Sequence, residues 1–339
     1  GTRYGRPAST SARSIIAGVL GKLDTNAVLE ARPYCKCHGG KRGTGSTFGQ
    51  YLATRQIVNY ATLARLSLSH HHALAPHRMR LSKTNLIGGI RMSEHDNIDF
   101  ILRSWDYEPY NVNARIVQGD DGRDVIQMRV DMGVLQLEMK GRPDGSHPHS
   151  HESMLDYLIQ KSTEAEETYE LTEDECFEVD REFVQFYHRR VCWLQLRRFE
   201  QAMQDANHTL SLMDLCQSHS SDEQWAIAHE QYRPFVLFHR IQAEALYLLD
   251  EGDGGESAAE AVNQGLEELR QLFVSYEIEE RFEDDDLVQR LIEVREDIRE
   301  RYEVGETLKE KLVKAVAEEQ YELAAQLRDE LERREIGPR

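Results

Sequence analysis

No stretch of this 339-residue chain carries eighteen consecutive apolar residues, so no helical membrane span is expected. The apolar run from Ile15 to Leu20 is too short for a secretory leader, and the chain opens on Gly1. Cysteine is scarce and odd in number: Cys35, Cys37, Cys176, Cys192 and Cys216. That argues against a secreted disulfide scaffold and for a reducing, cytoplasmic setting. Phosphate-binding loops are missing too. Gly39 to Thr47 has glycines and hydroxyls but not the spacing G-x-x-x-x-G-K-[ST], nor a strand before it. There is no G-x-S-x-G elbow, and no catalytic set of residues stands out.

Acidic residues are few at one end only. Residues 1–91 hold fourteen Lys and Arg against Asp24 and Glu30, a net +12, whereas the remainder carries a net −31. One folded unit rarely changes character so sharply. Met92 marks the boundary and precedes the acidic, helix-prone Ser93-Glu94-His95-Asp96. We therefore expect the working protein to begin at Met92. Residues 1–91 would then be a disordered basic extension or translated upstream sequence. As a functional alternative, the arm binds nucleic acid by releasing counterions from phosphates. The acidic body would repel nucleic acid.

Past that boundary the hydrophobic period organises the chain into a mainly α protein with a small antiparallel sheet. Over residues 92–150 we expect a short helix and a β-hairpin. Ile98, Ile101, Leu102 and Trp105 share one helix side, and Glu108-Pro109 ends it. The period then becomes two. Val112 to Val117 and Val125 to Val130 are strands about a Gly119-Asp120-Asp121-Gly122 turn. Gly133 is expected to bulge or bend the chain before Val134 to Met139. From 151 to 276 everything is helical. Thr172-x-x-Glu175 is a capping box, and Cys176, Val179, Phe183, Tyr187, Val191 and Leu194 mark the buried face of the helix it opens. After a break at Arg197-Arg198, two similar helix–turn–helix stretches resemble tetratricopeptide (TPR) hairpins. Their equivalent small residues Ala202 and Ala261 lie 59 apart, so the array is irregular, with an insertion at 218–232. An ordinary bundle produces the same pattern. Residues 277–305 form an acidic linker and a helix on Leu287, Leu291, Val294, Ile298 and Tyr302, with Gly305 as a hinge.

The most specific segment is the last, a helical hairpin over 306–336. Apolar residues at Leu308, Leu312, Ala315 and Val316 are followed, after Glu319-Gln320, by Tyr321, Ala324, Leu327 and Leu331. Each set lies on one helix face, and neither short helix can bury its stripe alone, so the two fold back antiparallel. The pair Ala324-Ala325 would let them approach closely. The segment from Leu308 to Glu335, with its internal string AVAEEQYELAAQLRDE, resembles the UVR motif of the UvrB and UvrC repair proteins, which also occurs in some Clp-type chaperone ATPases and arginine-kinase activators. The resemblance implies a protein-interaction hairpin. Its partner-binding residues would be Leu308, Leu312, Val316, Tyr321, Ala324, Ala325, Leu327, Arg328, Asp329 and Leu331, with Glu310, Lys314 and Glu322 supplying charge at the rim. Where many members place Asp or Asn before the aromatic residue, this chain has Gln320, a poorer cap. Ile101 to Pro109 and Val134 to Gly145, combined with this hairpin, resemble a bacterial family known by sequence pattern rather than by activity.

Other chemistry is thinner. His147, His149 and His151 alternate in a segment expected to be extended, which would point them the same way and make them candidate metal ligands, but no fourth ligand is evident. Cys35-Lys36-Cys37-His38 lacks a second pair at zinc spacing, and His70-His71-His72 implies no native site. Trp105, Trp193 and Trp225 are expected as core anchors. No cofactor, no metal and no enzymatic activity are expected. The expected function is a protein-interaction adaptor. Its partner would be another UVR-bearing protein, a repair nuclease subunit or a Clp-type ATPase that it regulates. A DNA-repair accessory using the basic arm is the alternative.

Overall fold

The computed structural model describes residues 97–109, 111–165, 168–251 and 254–336. The basic arm 1–91, with Cys35, Cys37, His38, the glycine-rich stretch and His70 to His72, lies outside them. The described chain is mainly helical, with a three-stranded antiparallel sheet near its start and a helical hairpin at its end. It divides into two compact units between Leu196 and Arg197. None of its helices is long and apolar enough to cross a membrane.

In the first unit, helix α1 (Asp99–Ser104) precedes strands β1 (Asn113–Gln118), β2 (Asp124–Val130) and β3 (Gly133–Glu138). The sheet order is β1-β2-β3, with Ile116 opposite Ile126 and Ile126 opposite Leu137. The Gly119 to Gly122 turn forms as expected, with Gly122 at φ 85°. Gly133 is no bulge. It pairs with Val130 across the two-residue turn Asp131-Met132 and opens β3. The strict alternation expected along β2 is also revised, because Gln127 and Arg129 are buried while Met128 and Val130 are half-buried. Gln127 sits in a polar rung across all three strands. Arg115 donates to Gln127 Oε1 at 2.8 Å, and Gln127 Nε2 donates to Gln136 Oε1 at 3.2 Å. The Trp105 ring lies 4.1 Å from the Arg115 guanidinium, so Trp105 is a half-buried stacking partner rather than a core anchor.

Helix α2 (Met154–Glu164) and helix α3 (Glu173–Gln195) complete this unit. The Thr172–Glu175 capping box opens α3. Val179, Phe183, Tyr187 and Leu194 are buried on its face, whereas Cys176 and Val191 are only half-buried. Arg142 is buried against α3, with Glu178 at 2.7 Å, Asp144 at 3.6 Å and Glu182 at 3.7 Å. Glu182, itself fully buried, accepts the Met154 and Leu155 backbone N–H groups at the start of α2. A buried charge is tolerated only when it is paired and hydrogen-bonded in this way.

The second unit is all helix. Arg197, at φ 59°, supplies the expected break, and helix α4 (Phe199–His219) follows. The stretch read as an insertion holds a short helix, α5 (Glu223–Glu230). Then come α6 (Arg233–Glu251), α7 (Gly255–Ser275) and α8 (Asp286–Tyr302). Helix α6 packs on α4 and on α7, and α7 packs on α8. Small residues set these approaches. Ala202, Ala206, Ala258 and Ala259 are fully buried, and a Cβ on Gly265 would lie 2.3 Å from Ile241. Tyr276, just past α7, donates to Glu230 of α5 at 2.5 Å, and Glu230 also pairs with Arg233 of α6 at 2.5 Å. On α8 the buried seam is Val288, Leu291, Val294 and Ile298. Leu287 and Tyr302 are only half-buried.

Candidate interaction hairpin

Helices α9 (Leu308–Ala317) and α10 (Tyr321–Ile336) form the C-terminal hairpin. A capping box fixes its start. The Thr307 hydroxyl accepts the Glu310 N–H at 3.3 Å, and Glu310 Oε2 accepts the Thr307 N–H at 2.7 Å. This T-x-x-E signature stands in the sequence immediately before the apolar stripe and is the local signal that locates the cap. Burial alone would raise the Glu310 pKa. The Thr307 N–H and the Arg299 guanidinium outweigh it and hold the carboxyl below its ordinary value.

The turn is a Schellman motif. Gln320 N–H reaches Ala315 C=O at 2.8 Å, and Glu319 N–H reaches Val316 C=O at 3.1 Å. It needs a left-handed residue after the helix, and Glu319 takes that conformation at φ 58°. Gln320 directs its side-chain amide to Glu318 Oε2 at 2.8 Å.

Inside the hairpin, Leu308, Ala315, Ala324 and Leu327 are buried as one cluster, with Leu312 and Leu331 packed against it. Six of the apolar positions chosen from the sequence are thus the hairpin's own core. Val316 and Tyr321 are not part of it: they are 51 % and 67 % exposed. Ala325 is exposed as well, so only Ala324 of the small pair provides the close approach. Val313, at 69 % exposed, and Leu323, at 43 %, are exposed apolar residues that the stripe pattern left out. Arg328 and Asp329 are exposed and pair at 2.9 Å. Lys314 pairs with Glu306 at 3.1 Å, and Glu322 is exposed. Glu310 is not at the rim, since it faces Arg299 of α8.

Helix geometry sorts the outer residues. Lys309, Val313 and Val316 step by four and three along α9, about a quarter turn from its inward line. Tyr321, Ala325 and Arg328 do the same on α10. In an antiparallel pair these quarter turns fall on one side of the hairpin. Leu323 lies on the other.

The histidine segment is not extended. Pro148–Ser150 is a 3-10 turn in which His149 and Ser150 are left-handed, at φ 50° and 68°. The rings therefore do not alternate along a strand. His149 stacks on Tyr157 at 3.9 Å, and His151 Nε2 lies 2.6 Å from Gln160 Oε1. Among the described residues no group of three or more His, Cys, Asp or Glu is placed to hold a metal. Trp193 and Trp225 are buried anchors.

Compared with known families, residues 305–335 match the UvrB/uvrC motif, UVR. The match adds Gly305, Glu306 and the capping residue Thr307 to the resemblance read over 308–335. No curated protein and no solved structure matches the chain.

Proposed function

We propose that this chain is a non-enzymatic adaptor whose C-terminal hairpin docks on another protein through the flank formed by Val313, Val316 and Tyr321. The observation that carries this reading is exposed apolar surface on a hairpin whose own core is already complete. A two-helix element that small gains nothing by presenting Val313, Val316 and Tyr321 to water. A partner helix laid along the flank would bury them, with Lys309, Arg328 and Asp329 setting register at the rim. The motif match supports an interaction role and the partner classes that go with it: a second UVR-bearing protein, a repair nuclease subunit or a Clp-type ATPase. In this reading the α4 to α8 helices serve as a TPR-like body offering a second contact surface, in a cytoplasmic setting.

The test is capture from an extract of the native cell by the full chain, beside Val316→Asp and Lys314→Ala variants with unchanged circular dichroism. Lys314 lies off the proposed flank. A protein retained by wild type and by Lys314→Ala but lost with Val316→Asp supports the docking flank. Equal capture by all three refutes it.

A further inference from the structure

The root of the hairpin is built differently from its middle. Six apolar side chains close the hairpin on itself, whereas charge joins it to the helices beside it. Lys309 Nζ reaches Glu260 Oε1 of α7 at 3.1 Å, and Glu310 pairs with Arg299 of α8. At these pairs lie Glu260 Oε2 and Arg299 Nε, with Asn263 Nδ2 beside them on α7. All three are buried and have no hydrogen-bond partner among the described residues. Opening the seam would expose them to water, which offsets part of the cost of breaking the two ion pairs. A cleft of about 530 Å³, lined by Glu296, Arg299, Glu300, Val304, Gly305 and Glu306, exposes the same seam to solvent ions. The connecting backbone suits rotation. Glu303 is left-handed at φ 53°, and nothing lies within 4 Å of where a Cβ on Gly305 would stand.

We propose that this seam is an electrostatic latch. The pairs Lys309–Glu260 and Arg299–Glu310 hold the hairpin against α7 and α8, and their release lets it turn about residues 303–306 as a folded unit. Lys309 shares its helix stripe with Val313 and Val316, so the closed latch also covers the root of the docking flank. That consequence rests on the docking reading above, whereas the latch itself does not. A partner presenting an acidic group to Lys309 would compete with Glu260 and open the seam as it binds.

The test uses the full chain without any partner. Spin labels are attached through keto amino acids at exposed Gln271 on α7 and Glu318 at the hairpin turn, which leaves the cysteines intact. The distance distribution is read at about 20 mM and about 500 mM salt, where screening lengths differ severalfold. The latch predicts one narrow distance at low salt and a broadened, longer distribution at high salt. The Glu260→Gln/Arg299→Gln variant should be broad at both, and these body-side changes spare the Thr307–Glu310 cap. Exchanging charges, Glu260→Lys with Lys309→Glu, should restore the narrow distance at low salt. If the Gln variant loses helical circular dichroism, the wild-type salt series and the exchanged pair decide. A distribution that stays narrow in every sample, or broad in every sample, overturns the latch. Failure of partner capture with an intact salt response would instead refute only the docking flank.

Discussion

Several residues here sit in conformations or surroundings they would not choose alone. Glu277, Glu303 and Glu319 each occupy the left-handed position after a helix, at φ 57°, 53° and 58°. Glycine avoids that penalty, and a carboxylate at a helix C-terminus also faces the unfavourable end of the dipole. Glu319→Gly should therefore stabilise the hairpin by about 1 kcal/mol, after the entropy glycine loses on folding. A rise in the thermal midpoint of the hairpin's helical signal checks this. At Gly265 the argument reverses. A methyl group would meet Ile241 at 2.3 Å, so Gly265→Ala should cost about 1–3 kcal/mol in chemical denaturation. His188 is a third case, because burial pushes its pKa down to about 4. The unfolded chain then binds a proton that the folded chain refuses. Stability from this residue is complete above its ordinary value near 6.5 and falls as pH drops towards 4. Urea unfolding across that window should show a slope that His188→Gln reduces; an equal slope in the variant would contradict the assignment.

At the scale of elements, the hairpin separates into residues that make it and residues it offers. Leu327 is buried within the cluster, and Leu327→Ala should cost about 2–5 kcal/mol and melt α9 and α10 together. Val316→Asp, on an exposed position, should leave helicity unchanged. Circular dichroism and hydrogen exchange distinguish the two. The hairpin is legible in the sequence because apolar stripes of three and four are local signals, as is the Thr307–Glu310 box that opens it. The sequence could not separate core from flank, since Val316 and Tyr321 continue the stripe yet sit a quarter turn off the inward line. Gly133 failed for a related reason, because a bulge and a two-residue turn look alike until the pairing of Val130 with Gly133 is known.

At the scale of the whole molecule, the features beyond the sequence's reach are those that join distant residues. Arg142 with Glu178 and Glu182, Tyr276 with Glu230, and Lys309 with Glu260 are pairs that no period announces. The overall class was readable from periodicity alone. The polar seams were not, because charged residues are abundant along these helices and only the fold selects which of them meet. In the latch proposed above, the seam of Lys309–Glu260 and Arg299–Glu310 decides whether the hairpin is held or free, and so whether the root of its apolar flank is available.

The central claim is that one flank of the hairpin meets a partner, and a site-specific crosslink tests it most directly. A photoreactive amino acid replaces Tyr321 in the full chain, or replaces Gln326 away from the flank, in the native cell. The account predicts a defined adduct from position 321, absent from position 326 and lost when Val316→Asp is added. Identical adducts from both positions, or none from position 321, would contradict it.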